Sequence, residues 1–143
     1  MHANPIEEIK RLRVRSEVIK NISINATQPL KIANDSDTFE ITIEFEPGDA
    51  DDVQLHIAGT HIHYKPKQQI LLNRNVPIHI IDEKVKIRVL VDRCLYEVIG
   101  NDGQAYMTFG RDYKIPISEI KLTANGTSTK LIKLELHHLK SIW

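Results

Sequence analysis

The sequence predicts an all-β protein in which two antiparallel sheets pack face to face as a β-sandwich. The first observation is composition: 21 Ile, 8 Val and 8 Thr are β-branched, against only 7 Ala. Such side chains lose rotamer freedom on a helix but pack well on a pleated sheet. The second is that turn signals recur every ~8–12 residues, as expected between the short strands of a sandwich. The third is that no amphipathic helix of about ten residues competes with these strands.

The overall composition limits the class of function. A chain of 143 residues fits one domain better than two. Its 19 basic residues balance 19 acidic ones, which argues against binding to nucleic acid or to a membrane surface through a basic patch. The single Cys excludes an internal disulfide. No run approaches the ~18 apolar residues of a transmembrane helix.

The clearest strand of the first half is residues 39–45. Its apolar residues alternate with Glu40, Thr42 and Glu44, and this period of two predicts a sheet with one buried and one solvent-facing side. Pro47-Gly48-Asp49 then supplies turn chemistry. We expect further short strands in the first half at 53–57, 61–64, 70–72 and 78–81.

The second half repeats this pattern more strongly, with an alternating strand at 85–91. Strands at 94–99 and 105–109 flank Gly-Asn-Asp-Gly at 100–103, a hairpin signal because these residues tolerate positive φ. Strands at 120–123 and 131–136 are joined by Asn125-Gly126-Thr127. Residues 5–15 stay ambiguous, since Ile6, Ile9 and Leu12 have helical spacing but also fit an extended arm.

Histidines are the first candidates for a site. His61 and His63 share one face of a strand and His56 lies on a neighbouring one, an arrangement that Zn²⁺ or Cu²⁺ can use. No Cys or carboxylate falls at a tight ligand spacing beside them, and polar residues on the outer face of a strand need no metal. We therefore expect a structural role. His137 and His138 are adjacent on a strand, so their rings point to opposite faces.

For the remaining candidate catalytic residues we also expect structural roles. Cys94 lacks an activating helix N-terminus, and we expect a small apolar strand residue. Asp92 and Glu97 could form a glycosidase carboxylate pair, but beside Arg88 and Arg93 we expect ion pairs at the surface or at strand ends. The sequence has no GxSxG, HExxH or P-loop motif. The residues alone thus predict a sandwich without a recognisable active site.

Residues 85–103, which read VKIRVLVDRCLYEVIGNDG, closely resemble a family signature. That signature, approximately L-R-I-F-V-D-R-S-S-V-E-V-F-x-N-D-G, belongs to the C-terminal β-sandwich of glycoside hydrolase family 32. The residues at matching places are Ile87, Val89, Val91, Asp92, Arg93, Glu97, Val98, Asn101, Asp102 and Gly103. Cys94-Leu95-Tyr96 replaces the usual Ser-Ser-Val, which alters one face of a hairpin and leaves the predicted fold intact.

The resemblance extends over nearly the whole chain. The ending LELHHLKSIW at 134–143 is similar to the family's L-x-V-W-x-L-K-S-I-W, and 39–45 matches one of its strands. Residues 5–13 are similar to the arm that leaves the catalytic domain. The resemblance therefore implies an interdomain arm at 1–16 and, at 17–143, a sandwich of the concanavalin or lectin-like jelly-roll type.

The resemblance also says which activity the chain lacks. Family members include invertases, inulinases and levanases, which hydrolyse fructosyl linkages with retention through two carboxyl groups. Those groups lie on an N-terminal five-bladed propeller, in W-M-N-D-P-N-G, R-D-P and E-C motifs. None of these motifs occurs in this sequence. No catalytic residue, cofactor or metal ligand can therefore be assigned to this chain.

Three functions remain open for such a module. It could support its own N-terminal catalytic propeller, absent from this sequence, and build a homodimer; it could bind fructan; or it could be a free-standing interaction domain. The candidate residues for carbohydrate or interdomain contact are Tyr64, Tyr96, Tyr106 and Trp143, with Tyr113 as a further aromatic. Because only 6% of residues are aromatic and sugar-binding faces rely on aromatic platforms, we favour the supporting role.

Docking on a propeller also predicts an exposed apolar surface near Ile6, Ile9, Leu12 and Trp143. Neither nucleic acid nor a membrane is an expected partner. The resemblance implies that a secretion signal, if the parent enzyme is exported, lies upstream of this sequence.

Overall fold

The computed structural model describes residues 13–34, 36, 38–71, 75–92, 94–112 and 114–139, with residues 13 and 14 described by backbone alone. Most of this part of the chain is β-strand. In chain order the strands are β1 Arg13–Ile24, β2 Leu30–Ala33, β3 Phe39–Glu46, β4 Asp52–Ile57, β5 Thr60–Lys65, β6 Ile70–Leu71, β7 Val76–Pro77, β8 Val85–Val91, β9 Leu95–Gly100, β10 Ala105–Gly110, β11 Glu119–Asn125 and β12 Thr129–Leu139.

The strands form two six-stranded antiparallel sheets, which confirms the predicted β-sandwich. Sheet A has the order β1-β12-β3-β8-β9-β10, and sheet B has the order β2-β11-β4-β5-β6-β7. Consecutive strands β8, β9 and β10 form a meander in sheet A. By contrast, β12 lies between β1 and β3, so that the last described strand pairs with the first.

The core lies between the two sheets and follows from the alternation along each strand. On β3, for example, Phe39, Ile41, Ile43 and Phe45 are fully buried. Phe45 of sheet A meets Tyr64 of sheet B edge to face, with ring centroids 6.0 Å apart. Burial of each large apolar side chain contributes roughly 1.5–3 kcal/mol to the free energy of folding, so the inward face of every long strand stabilises the sandwich.

Most predicted strands are found within one or two residues of their expected bounds, and the differences have physical causes. β1 and β2 were not predicted, because their segments mix polar residues into both faces. The segment 78–81 is not a strand: Ile78 is buried and follows β7, and Ile81 makes only an isolated bridge to Lys84. The Asn-Gly turn is confirmed, since Gly126 has φ +93° between β11 and β12.

The predicted boundary between arm and sandwich falls inside a strand. β1 begins at Arg13, so residues 13–16, which we predicted to belong to the arm, pair with β12 as part of sheet A. Residues 1–12 and 140–143 lie outside the described residues, and so does the apolar surface predicted near Ile6, Ile9, Leu12 and Trp143. The described residues include no helix with the length and apolar character to cross a membrane.

Candidate functional site

The family-like segment folds into strands β8 and β9 and the short 3₁₀ turn Asn101–Gly103. Asn101, at φ +46°, holds this turn with its side chain. Its Oδ1 accepts a hydrogen bond from the Lys86 backbone N–H at 3.0 Å, while Nδ2 donates to the His79 carbonyl at 2.7 Å and to Gln104 Oε1 at 2.8 Å. One side chain thus ties the turn to β8 and to the segment before it. The Asn of the signature is a structural residue in this fold.

Charged residues of the same segment form a network on the outer face of sheet A. Lys86 Nζ lies 2.9 Å from Asp102 Oδ1. Arg88 Nη2 lies 3.8 Å from the same oxygen, and Arg88 Nε lies 3.9 Å from Glu40 Oε2. The side chains of Arg88 and Glu40 are only 5% and 0% exposed. Because a buried charge is costly unless it is paired, each of these two residues depends on the other.

The buried Glu40 corrects the prediction for β3. The alternating pattern placed Glu40 on a solvent-facing side, yet its side chain is fully buried. The sequence carried no local signal for this burial, because Arg88 lies on β8, far along the chain. The pairing of β3 with β8, with Thr42 opposite Arg88, brings the two charges together.

The acidic residues of the signature also have structural partners. Asp92 Oδ1 accepts hydrogen bonds from the backbone N–H groups of Cys94 at 2.7 Å and Leu95 at 2.8 Å, and so fixes the turn into β9. This replaces the ion pair that we expected for Asp92. Glu97 lies on β9 and accepts a hydrogen bond from the Tyr106 hydroxyl. The two carboxylates are therefore engaged in separate local contacts.

Two of the predicted contact residues, Tyr64 and Tyr96, lie in the core. Each is 1% exposed, so neither ring offers a face to a sugar, which corrects the expectation for both. Tyr64 Oη donates to the Ile78 carbonyl at 2.6 Å, and Tyr96 Oη donates to the Ile57 carbonyl at 3.1 Å. Burial raises the pKa of Tyr64 far above its ordinary value. The period of two predicts this placement, because Tyr64 shares its side of the strand with the buried Ile62.

Tyr106 is the predicted contact residue that the structure places at the surface. It lies on β10, at one edge of sheet A, and is 47% exposed. Partial burial raises the pKa of its hydroxyl, and the Glu97 carboxylate adds to this effect. An exposed ring beside a carboxylate combines an apolar platform with a hydrogen-bond acceptor. Trp143 and Tyr113 lie outside the described residues.

The predicted histidine cluster is found on the outer face of sheet B. His56 on β4 lies opposite His61 on β5, with ring centroids 4.0 Å apart and ring planes tilted by 53°. His63, two residues further along β5, places Nε2 3.3 Å from Asp52 Oδ2. Burial is the main cause of a lowered pKa for His56, and the positive charges of His61 and Lys121 lower it further. Within the described ranges, no group of three or more His, Cys, Asp or Glu side chains is arranged to hold a metal ion.

The second histidine pair lies on β12, and both of its side chains are buried. His137 Nδ1 is 2.6 Å from Ser16 Oγ, and its Nε2 is 3.0 Å from Glu135 Oε2. His138 Nε2 is 3.6 Å from Glu17 Oε2. The hydrogen bond from Lys133, more than the one from His137, lowers the pKa of Glu135 to about 2 against the effect of partial burial. This row of charges connects β1 with β12.

Cys94 does not have the environment that we expected. It is exposed and precedes β9, whereas the prediction placed a small apolar residue inside the strand. Its backbone carbonyl accepts a hydrogen bond from the Arg111 N–H at 2.7 Å. The role of this position is thus to close the β9–β10 pair through its backbone.

A cleft of about 320 Å³ lies between the turn that follows β1 and the turn that joins β11 to β12. Its lining is small and polar: Asn25, Ala26, Thr27, Ala124, Gly126, Thr127 and Ser128. Asn25 Oδ1 already accepts hydrogen bonds from Thr27 and Gln28. None of the described residues that line the cleft has a titratable side chain, so these residues offer no group for acid–base catalysis.

A family model and a curated relative both match this sequence over nearly its whole length. The family model described as "Glycosyl hydrolases family 32 C terminal" matches residues 8–138. A levanase of Bacillus subtilis (strain 168) is 28% identical, in an alignment that covers 97% of this chain and 24% of the levanase.

Solved structures share the fold. An exo-inulinase from Aspergillus awamori superposes with a TM-score of 0.73 at 15% identity, covering 94% of this chain and 31% of the inulinase. Fructan 1-exohydrolase IIa from Cichorium intybus superposes with a TM-score of 0.69 at 12% identity, covering 96% of this chain and 37% of the other. This chain therefore spans between about a quarter and about two fifths of the length of these relatives.

Proposed function

Because the chain belongs to the family of C-terminal domains of glycoside hydrolase family 32, we propose that it is the non-catalytic β-sandwich of a retaining β-fructosidase. Its role is to support an N-terminal catalytic propeller that this sequence does not contain. The observation that carries this proposal is the use of the signature residues: Asn101 and Asp92 hold turns, and Asp102 joins an ion network. These three signature residues therefore stabilise the fold of the module.

The carboxylates of the signature segment support a non-catalytic role. Retaining glycosidases need two carboxyl groups ≈5–5.5 Å apart that face one substrate. Asp92 is bound to backbone N–H groups of its own turn, and Glu97 is hydrogen bonded to Tyr106. The propeller as the partner, and a homodimer as its assembly, follow from the family and are part of the proposal.

The absence of catalysis is tested by incubating the purified chain with levan, inulin and sucrose and measuring released fructose. We expect no release above that from heat-denatured chain. Fructose release that follows the concentration of folded chain, and that is lost when Asp92 or Glu97 is changed to the matching amide, would show that this module is catalytic.

One observation favours a second candidate function, a fructan-binding module. Tyr106 exposes nearly half of its surface on β10, beside Glu97 and Thr108 on the outer face of sheet A. Sugar rings stack on such exposed aromatic rings, while a neighbouring carboxylate accepts hydrogen bonds from hydroxyl groups. A single exposed ring is a small platform, and for this reason we rank binding below the supporting role.

The two functions differ in what Tyr106→Ala does. In a fructan-binding module, this change abolishes perturbation of the β9–β10 amide signals by fructo-oligosaccharide in NMR titration. In a supporting module, the sugar leaves these signals unchanged in both the original chain and the variant.

A further inference from the structure

The hairpin formed by β4 and β5 holds two imidazole rings together. Its turn consists of Ala58 and Gly59, with φ of +49° and +82°. Two consecutive residues of positive φ form the tight turn whose twist matches the flanking strands, so the register of this hairpin is fixed. That register places His56 directly opposite His61 on the outer face of sheet B. Opposite side chains have Cβ atoms ≈4.5–5.5 Å apart, within reach of one shared ligand.

The ring of His56 has an unused coordinating atom. Its Nε2 is buried and has no hydrogen-bond partner. A buried polar atom without a partner costs about 1–3 kcal/mol. Lone-pair donation from a neutral imidazole to a metal ion would satisfy this atom. His61 is exposed, so the same pair of rings can be reached from solvent.

We propose that His56 and His61 form a two-imidazole binding site for a divalent zinc ion, with water in the remaining positions. Zinc binds imidazole nitrogen at ≈2.0–2.1 Å and prefers four tetrahedral ligands. These bond lengths place two ligand nitrogens roughly 3 Å apart. The ring centroids of His56 and His61 are 4.0 Å apart and their planes are tilted by 53°, so the two imidazoles are close enough for their nitrogens to share one ion.

The surroundings of the pair explain why the site has two protein ligands. His63 points along the same face but lies 3.3 Å from the Asp52 carboxylate, which already engages its Nε2. Lys121 on β11 lies opposite His56 on its other side and brings a positive charge that weakens cation binding. We therefore infer a weak, exchangeable zinc site. The sequence favoured a structural role for these histidines, because no Cys or carboxylate falls at a tight ligand spacing beside them.

Calorimetric titration of the purified, untagged chain with zinc chloride at neutral pH tests the site. All proteins carry His2→Ala, because an N-terminal amine next to an imidazole binds metals by itself. We expect one zinc ion per chain. Because loss of a supporting group near a metal already costs ~10–100-fold in affinity, we expect His56→Ala and His61→Ala each to weaken binding at least tenfold. His63→Ala, on the same strand and face as His61, is the matched control and keeps the original affinity.

A second measurement separates loss of the ligand from loss of the fold. Circular dichroism and thermal unfolding without zinc identify any variant that does not fold, and His61→Ala, at an exposed position, is the variant expected to fold normally. Zinc should raise the melting temperature of the original chain and of His63→Ala, and should leave that of His61→Ala unchanged. No saturable binding below millimolar zinc, or equal affinity in folded His61→Ala and His63→Ala, would overturn the proposal.

Discussion

The hydroxyl of Tyr96 donates a hydrogen bond to the backbone carbonyl of Ile57 at 3.1 Å and so joins the two sheets through the core. Tyr96 lies on β9 of sheet A, and Ile57 ends β4 of sheet B. Both residues are at most 1% exposed. A second buried tyrosine, Tyr64 on β5, also donates its hydroxyl to a backbone carbonyl, that of Ile78. Tyr64 and Tyr96, two of the aromatic residues that first suggested sugar binding, therefore contribute to the core of the sandwich.

Removing the Tyr96 hydroxyl should destabilise the module measurably. Tyr96→Phe keeps the ring in place but leaves a buried carbonyl without this donor, which costs about 1–3 kcal/mol. Urea unfolding measures the change in the free energy of unfolding. Tyr106→Phe is the matched control, and because its ring is half exposed we expect a change within about 0.5 kcal/mol. Equal stability of the two variants would show that the hydroxyl of Tyr96 makes no net contribution.

Asn101 should contribute more to stability than its position in a turn suggests. Asn101→Ala removes three hydrogen bonds and also places Ala at φ +46°. We expect a loss of about 2–4 kcal/mol, since each bond contributes ~0.5–1.5 kcal/mol and the strained backbone adds to the loss. Asn75→Ala, at φ +53° in another turn, isolates the backbone cost. If both variants lose the same free energy of unfolding, the hydrogen bonds of Asn101 are not what stabilises this turn.

Gly100 marks a close approach between β9 and the segment after β7. A Cβ built at this position lies 2.8 Å from Ile78 Cδ1 and 3.2 Å from Ala105 Cβ. Gly100→Ala should therefore destabilise the module by about 1–3 kcal/mol through overpacking. Gly110→Ala on the neighbouring strand meets nothing within 4 Å and is the control.

Thermal unfolding of the double variant Gly100→Ala, Ile78→Val distinguishes crowding from other causes. Val lacks the Cδ1 methyl, so its smaller side chain should restore part of the stability lost in Gly100→Ala. A double variant whose losses simply add would indicate that Ile78 does not crowd this position.

The charge of Glu135 should stabilise the fold at neutral pH, and this stabilisation should be lost in acid. The hydrogen bond from Lys133 lowers the pKa of Glu135 to about 2, from an ordinary value of 4.5. A lowered pKa means that the folded state favours the carboxylate, so the contribution is fully present above pH 4.5 and is lost as the pH falls towards 2. Glu135→Gln should therefore reduce stability at neutral pH and flatten the decline of stability in acid.

Urea midpoints measured across this acidic window test the effect of Glu135. Glu119→Gln, at an exposed position on β11, is the control and should follow the original profile. A Glu135→Gln profile parallel to that of the original chain would contradict the assigned role of the carboxylate.

A strand could be predicted from the sequence when one of its faces is buried and the other is not, because its residues then alternate between apolar and polar. Strand β3 and strand β8 alternate between apolar and polar residues, so both were predicted within one residue. β1 lies at an edge of sheet A with residues 15–18 exposed, and an edge strand carries too few apolar residues to show a period. Ile78 belongs to an apolar run that resembles a strand. In the structure it lies outside any strand, its side chain is buried in the core, and its carbonyl accepts a hydrogen bond from Tyr64.

The candidate site was less predictable because it depends on contacts between distant residues. The pairing of Glu40 with Arg88 and the pairing of Ser16 with His137 arise only when the strands are placed in register. Tyr106 was distinguished from Tyr96 only by the structure. The resemblance identified the segment 85–103 but not what its residues contact.

The measurement that tests the central claim most directly is calorimetric titration of the module with levan, inulin and fructose. A supporting domain should give only heats of dilution with all three sugars. Saturable binding in the millimolar range or tighter, lost in Tyr106→Ala, would contradict the supporting role and establish a fructan-binding module.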